Sequence, residues 1–162
     1  MKLEYQISED DFMEAYEAFW RSKNLGGKTE LICGAAAVIG GVALLSAASP
    51  IGWILLVAGV ILAALVPIRS FLHRRAYREN PAFSGLTSVS FEDEVIEVVS
   101  PVGESRLSWS VYLSAMESDF FFLPMISKRS FSIIPKRAFA TEDDLDAFRE
   151  LLESKLGPTA KI

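Results

Sequence analysis

The 162-residue sequence contains one cysteine and one histidine. A lone Cys33 excludes an intramolecular disulfide and every metal cage built on paired cysteines. With His73 alone, neither a histidine-rich metal site nor a Ser/His/Asp triad has a convincing set of partners. Basic charge is also short: 16 Lys and Arg face 21 Asp and Glu, for a net charge of −5. That balance argues against a nucleic-acid partner, whose phosphates require a basic face. The most telling absence is local, because the 38 residues from Leu31 to Ile68 include no Asp, Glu, Lys or Arg.

As a single helix, that stretch would be about 57 Å long against roughly 30 Å of bilayer hydrocarbon. Ser49-Pro50 followed by Gly52 supplies a break. The sequence therefore predicts a transmembrane hairpin, with spans at about 31–48 and 51–68. A surface helix would carry a polar stripe at a 3.6-residue period, and neither span has one. The second span is dense in Leu, Ile and Val, whereas the first is rich in Gly and Ala. Small residues four apart, Ala36/Gly40, Ala37/Gly41 and Gly59/Ala63, suggest close helix packing that holds the weaker first span in place.

Charge sets the expected orientation. Arg21, Lys23 and Lys28 precede the first span, and Arg69, Arg74, Arg75 and Arg78 follow the second, while the connecting turn is uncharged. Positive-inside bias then places both termini in the cytoplasm, with the chain integral to the cell (inner) membrane. These arginines fix topology, and they are also candidates for anionic lipid headgroups.

Three segments follow: 1–28, 29–81 and 82–162. In the first, Lys2–Ile7 alternates like a short strand. Ser8 then reads as an N-cap before Glu9, Asp10 and Asp11, where the helix dipole favours anions. Phe12, Ala15, Tyr16, Phe19 and Trp20 form a stripe on a helix ending near Lys23, suited to docking on the C-terminal domain or to a membrane interface. Arg69 to Asn80 continues the second span as a basic juxtamembrane helix.

From Phe83 onward the pattern becomes β. Candidate strands are Leu86–Phe91, Val95–Val99, Ser105–Leu107, Val111–Glu117, Phe120–Leu123 and Phe131–Ile134, with Pro124 to Arg129 read as a turn. Thr141 caps a final helix, Glu142–Leu156, with Asp144 placed to return the capping bond, and Gly157-Pro158 ends it. The fold class is thus an α+β membrane protein: a two-helix hairpin plus a small antiparallel β domain of pleckstrin-homology-like outline, closed by a C-terminal helix.

The order of these features resembles the YcxB-like proteins, small bacterial membrane proteins with a short acidic N-terminal helix, two spans and a small β domain. The residues carrying the resemblance are Phe91-Glu92-Asp93-Glu94, Trp109 in Leu107-Ser108-Trp109-Ser110, Phe120-Phe121-Phe122-Leu123, and above all Ile133-Ile134-Pro135-Lys136-Arg137-Ala138-Phe139. Ser110 departs from the pattern, since an acidic residue is expected soon after the tryptophan. The resemblance implies architecture and location, and supplies no catalytic residues.

Other motifs are weaker. Gly27-Lys28-Thr29 imitates the end of a phosphate-binding loop, but Ser22 stands where that motif needs its first glycine, and a helix rather than a strand precedes it. Glu142, Asp143, Asp144 and Asp146 are ordinary first-turn acids rather than a metal site. Lys128, Arg129, Lys136 and Arg137 concentrate positive charge in an acidic domain, as a headgroup or partner surface would. No cofactor is implied. The expected role is non-enzymatic: an inner-membrane protein presenting a cytoplasmic interaction module to an unknown protein partner or to anionic lipid. The alternative is an immunity protein that neutralises a cognate bacterial toxin by direct binding.

Overall fold

The computed structural model describes residues 1–23, 27–46, 50–83, 85–158 and 160–161. The chain divides into two compact units, Met1–Ala18 with Tyr77–Ile162, and Phe19–Ala76.

The first unit is α+β. Strands β1 (Lys2–Tyr5), β2 (Thr87–Phe91), β3 (Val95–Ser100) and β4 (Gly103–Ser108) form one antiparallel sheet in chain order. The N-terminal strand thus joins the sheet of residues more than eighty positions away, with Leu3 opposite Val89. Strand parity explains the pairing. Leu3, Val89, Phe91 and Ile96 turn to one face and enter a common core, with Val98 and Leu107 packed against it.

The second sheet follows the order β7-β6-β5-β8, from β5 (Ser114–Glu117), β6 (Phe121–Met125), β7 (Ile134–Pro135) and β8 (Ala160–Lys161). Its β5–β6 and β6–β7 pairs are antiparallel, but β8 runs parallel to β5. Helix α4 (Glu142–Leu156) buries Leu145, Phe148 and Leu152 in the same core as the first sheet. Phe148 lies among Phe91, Phe122 and Phe139, with ring centroids 4.8, 5.2 and 5.1 Å away. The expected cap is present: the Asp144 N–H donates to Thr141 Oγ1 at 3.1 Å, and Thr141 Oγ1 donates to Asp144 Oδ2 at 2.8 Å. Gly157, at φ +81°, ends the helix in a conformation that disfavours a side chain.

Several β boundaries differ from the sequence reading, and three of the differences have a local cause or consequence. Val111 belongs to a 3-10 turn, Trp109–Val111, because the Ser108 hydroxyl caps it and Trp109 turns inward to donate from Nε1 to Glu92 O at 2.9 Å. Pro124 lies inside β6, opposite Ala115, rather than opening a turn. Its carbonyl accepts from the Ser132 N–H at 2.9 Å; its missing N–H lies on that same side, so the β5 ladder is undisturbed. Phe131–Ile134 shrinks to an isolated bridge, Met125 to Phe131, before β7.

Helix α1 (Glu9–Ser22) starts as its sequence dictates. The Asp11 N–H donates to Ser8 Oγ at 3.1 Å, and the Ser8 N–H donates to Asp11 Oδ2 at 2.7 Å. Within the first unit its aromatic stripe packs inward: Phe12 meets Tyr77 and Phe83 at 5.6 and 5.2 Å, and Tyr16 meets Phe131 at 4.8 Å.

The second unit centres on helices α2 (Gly27–Ser46) and α3 (Ile51–Glu79), the latter extending beyond the unit at Tyr77. Residues 47–49, including the end of the expected first span and Ser49 of the expected break, lie outside the described residues. The two helices approach backbone to backbone. A Cβ on Gly41 would sit 2.7 Å from Leu56 N and 2.9 Å from Gly52 O; one on Gly59 would sit 2.7 Å from Val38 N and 2.8 Å from Gly34 O. The contacting glycines are therefore Gly34 and Gly41 against Gly59 and Gly52, seven apart on each antiparallel helix. Of the small residues expected in pairs four apart, Gly41 and Gly59 lie at these contacts and Gly40 faces open space, so the repeat of the contacting glycines is seven rather than four. Two turns separate successive contacts because helices that lie nearly alongside one another meet once per heptad.

Candidate functional site

Among the described residues, the single buried carboxylate of the first unit is Glu117, on β5, with a side chain only 5% exposed. Strand parity puts it on the same face as Ala115, toward α4. A carboxylate there requires cations, and two arrive from separate elements. Arg149 of α4 donates from Nε to Oε2 at 2.9 Å and from Nη2 to Oε1 at 2.7 Å. Lys136, in the 3-10 turn Lys136–Ala138, donates from Nζ to Oε1 at 2.8 Å. Arg149 also pairs with Asp146 one turn earlier. Both cations lie over the Phe122 ring, at 5.3 Å for Lys136 and 5.9 Å for Arg149. The Arg149 hydrogen bonds are the main cause that lowers the Glu117 pKa to about 2; those from Lys136 add to them and burial opposes both. A carboxylate held ionised in this way is a fastener, with no proton to give and little basicity to offer.

A second cluster gathers at the first turn of α1. Arg137 donates to both oxygens of Asp11, at 2.5 and 2.6 Å, and to Gln6 O at 3.0 Å. Burial works against ionisation of Asp11, but the bonds from Arg137 and Ser8 outweigh it and hold the carboxyl below its usual range. Arg78 pairs with Glu9, donating from Nε to Oε2 at 3.0 Å, and Tyr77 Oη donates to Ile7 O at 2.8 Å.

The eight basic residues singled out from sequence divide between the two units and differ in their partners. Lys136, Arg137 and Arg78 are engaged with carboxylates of the first unit. Arg69 lies 5.4 Å from the Trp20 ring within the second unit, where Arg74 and Arg75 are exposed on α3. Lys128 and Arg129 sit together at the tip of a turn closed by the Ile126 and Ser127 N–H groups, which donate to Ser130 O at 2.9 and 3.0 Å. Both are exposed, and neither makes an ion pair among the described residues.

The Glu117–Arg149 pair and the Asp11–Arg137 pair were both missed in the sequence. The one available signal was parity, since a glutamate two positions from a core alanine on a half-buried strand needs a cation. Among the described residues, no group of three or more His, Cys, Asp or Glu is placed to hold a metal ion.

Residues 91–152, from the end of β2 to Leu152 of α4, match the family model described as YcxB-like protein. The matched segment contains Glu117, both of its cations, Trp109 and the Lys128–Arg129 turn, and it supports the resemblance over the β part of the chain. No curated protein matches the chain. No solved structure matches it either.

Proposed function

We propose that this protein is a non-enzymatic, integral inner-membrane protein in which α2 and α3 cross the bilayer as a hairpin, both tails lie in the cytoplasm, and the pleckstrin-homology-like β unit serves as a binding module. The observation that carries this reading is the outer surface of α3. The helix is long and apolar enough to cross a membrane, and Ile51, Trp53, Ile54, Val57, Val60, Ile61, Leu65 and Ile68 are exposed on it. Side chains of that kind belong in hydrocarbon, since leaving each one in water forgoes about 1.5–3 kcal/mol. The backbone contact at Gly41 and Gly52 supports α2 as the second, weaker span, held by its neighbour. The arrangement of Glu117 favours binding over catalysis, because its charge is consumed by structure.

Alkaline carbonate extraction, combined with labelling of single cysteines in a Cys33→Ala background, tests the proposal. The chain is expected to stay in the membrane pellet. Cysteines at Lys2 and Lys155 should react with impermeant maleimide only after the cytoplasm is opened, whereas one at Pro50 should react in intact spheroplasts. Release by carbonate, or labelling of the two tails from opposite sides, would overturn it.

A further inference from the structure

The β5–β6 hairpin carries two exposed apolar side chains at the end where the Lys128–Arg129 turn closes. Leu113 is 66% exposed and Ile126 is 38% exposed. Both lie one residue beyond the last pair of the hairpin: the register places Ser114 opposite Met125, and the Leu113 N–H donates to Met125 O at 2.8 Å. The next residues after Ile126 are Ser127, Lys128, Arg129 and Ser130, all exposed and held in a closed turn. The other basic residues of this region, Lys136 and Arg137, are neutralised by Glu117 and Asp11. Lys128 and Arg129 therefore place two positive charges, with no ion pair among the described residues, at the same end of the hairpin as two apolar side chains that the core does not take up.

We infer that this hairpin end, Leu113 and Ile126 with Lys128 and Arg129, seats on an anionic lipid surface, the apolar pair entering the headgroup–acyl boundary and the cations meeting lipid phosphates. Apolar insertion combined with electrostatic attraction is how peripheral elements hold a bilayer. The size of the patch favours lipid over protein. A specific protein interface buries about 800 Å² per partner, far more than two side chains and a four-residue turn present. A membrane needs only a point of entry. The inference deepens the proposed function and rests on its bilayer anchoring, which keeps a lipid surface within reach of the β unit through the chain itself.

The test uses the full chain in nanodiscs. In a Cys33→Ala background, Ser130→Cys reports on the turn and Asp119→Cys on the opposite end of the hairpin, each carrying an environment-sensitive fluorophore. Discs of phosphatidylcholine alone are compared with discs that also contain phosphatidylglycerol. The expected result is blue-shifted emission and protection from aqueous iodide at position 130 in the anionic discs only, with position 119 remaining aqueous. Lys128→Ala with Arg129→Ala should lower the inserted population on the order of 30-fold, because each cation near such a surface contributes about a five-fold factor. Leu113→Ser with Ile126→Ser should abolish the blue shift while the thermal transition of the protein stays unchanged. If the chain enters the discs but position 130 remains aqueous, or responds equally in both lipids, the inference is wrong and the patch is left to a protein partner. If the chain fails to enter any disc, the bilayer-anchored reading falls, and this inference falls with it.

Discussion

Arg149 grips Glu117 with two parallel hydrogen bonds, 2.9 Å from Nε and 2.7 Å from Nη2, across 32 positions of sequence. Lys136 closes the third side at 2.8 Å, so one carboxylate joins β5, the 3-10 turn before α4, and α4 itself. Planar, two-pronged pairing of this kind fixes geometry as well as charge, which makes arginine rather than lysine the fitting partner for α4.

This arrangement gives the protein an acid-sensitive fastener. The folded pKa of Glu117 is lowered from 4.5 to about 2. Its contribution is therefore fully present above about pH 4.5 and is lost as pH falls toward 2. The amount is on the order of 3 kcal/mol. Urea midpoints of the detergent-solubilised protein, measured across that range, should fall steeply for wild type. Glu117→Gln should be less stable at pH 7 and flatter with pH; an unchanged slope would mean that acid sensitivity arises elsewhere.

The helix pair in the second unit predicts a contrast between adjacent glycines. Gly41→Ala places a Cβ against the Leu56 and Gly52 backbones, which cannot yield as a flexible side chain would. Overpacking there should cost about 1–3 kcal/mol. Gly40→Ala meets nothing within 4 Å and should be neutral or slightly stabilising. Thermal scans in micelles would distinguish them, and equal behaviour of the two variants would contradict the seven-residue register.

The Asp11–Arg137 contact should be worth little on its own. Arg137 is 54% exposed, so solvent screens the pair, and a double-mutant cycle should return a coupling of about 1 kcal/mol or less. Asp11→Ala should nevertheless cost more than Arg137→Ala, because Asp11 also accepts the Ser8 N–H at the start of α1. The reverse ranking in chemical denaturation would argue that capping contributes nothing here.

In the core, Phe148 contacts aromatic rings from both sheets and from the segment before α4. Phe148→Ala should destabilise the first unit by about 3–5 kcal/mol. Near-UV circular dichroism and loss of the cooperative transition provide the check, with Lys155→Ala on the exposed end of the same helix as the neutral comparison.

Helix ends were legible in the amino-acid sequence. Thr141 and Asp144 announce the start of α4, and Gly157 its end, because the end groups of a helix must be satisfied by residues within a few positions. The β boundaries were less legible. Ser108 diverted Val111 into a 3-10 turn, and Pro124 stayed in its strand because its missing N–H points away from β5. The candidate site was legible only as a set of basic residues. Lys128, Arg129, Lys136 and Arg137 look alike in sequence, yet two of them are paired with carboxylates.

The uncharged run, the caps, the strand periodicity and the C-terminal helix could be read along the chain, since each follows from side-chain chemistry repeated over a few residues. The pairing of β1 with β2, the meeting of glycines at every seventh residue and the neutralisation of particular cations in the β unit emerged only on folding. Those outcomes depend on groups far apart in the chain arriving at one place. A charge is spent or left available according to what the fold sets beside it, and no local pattern records that.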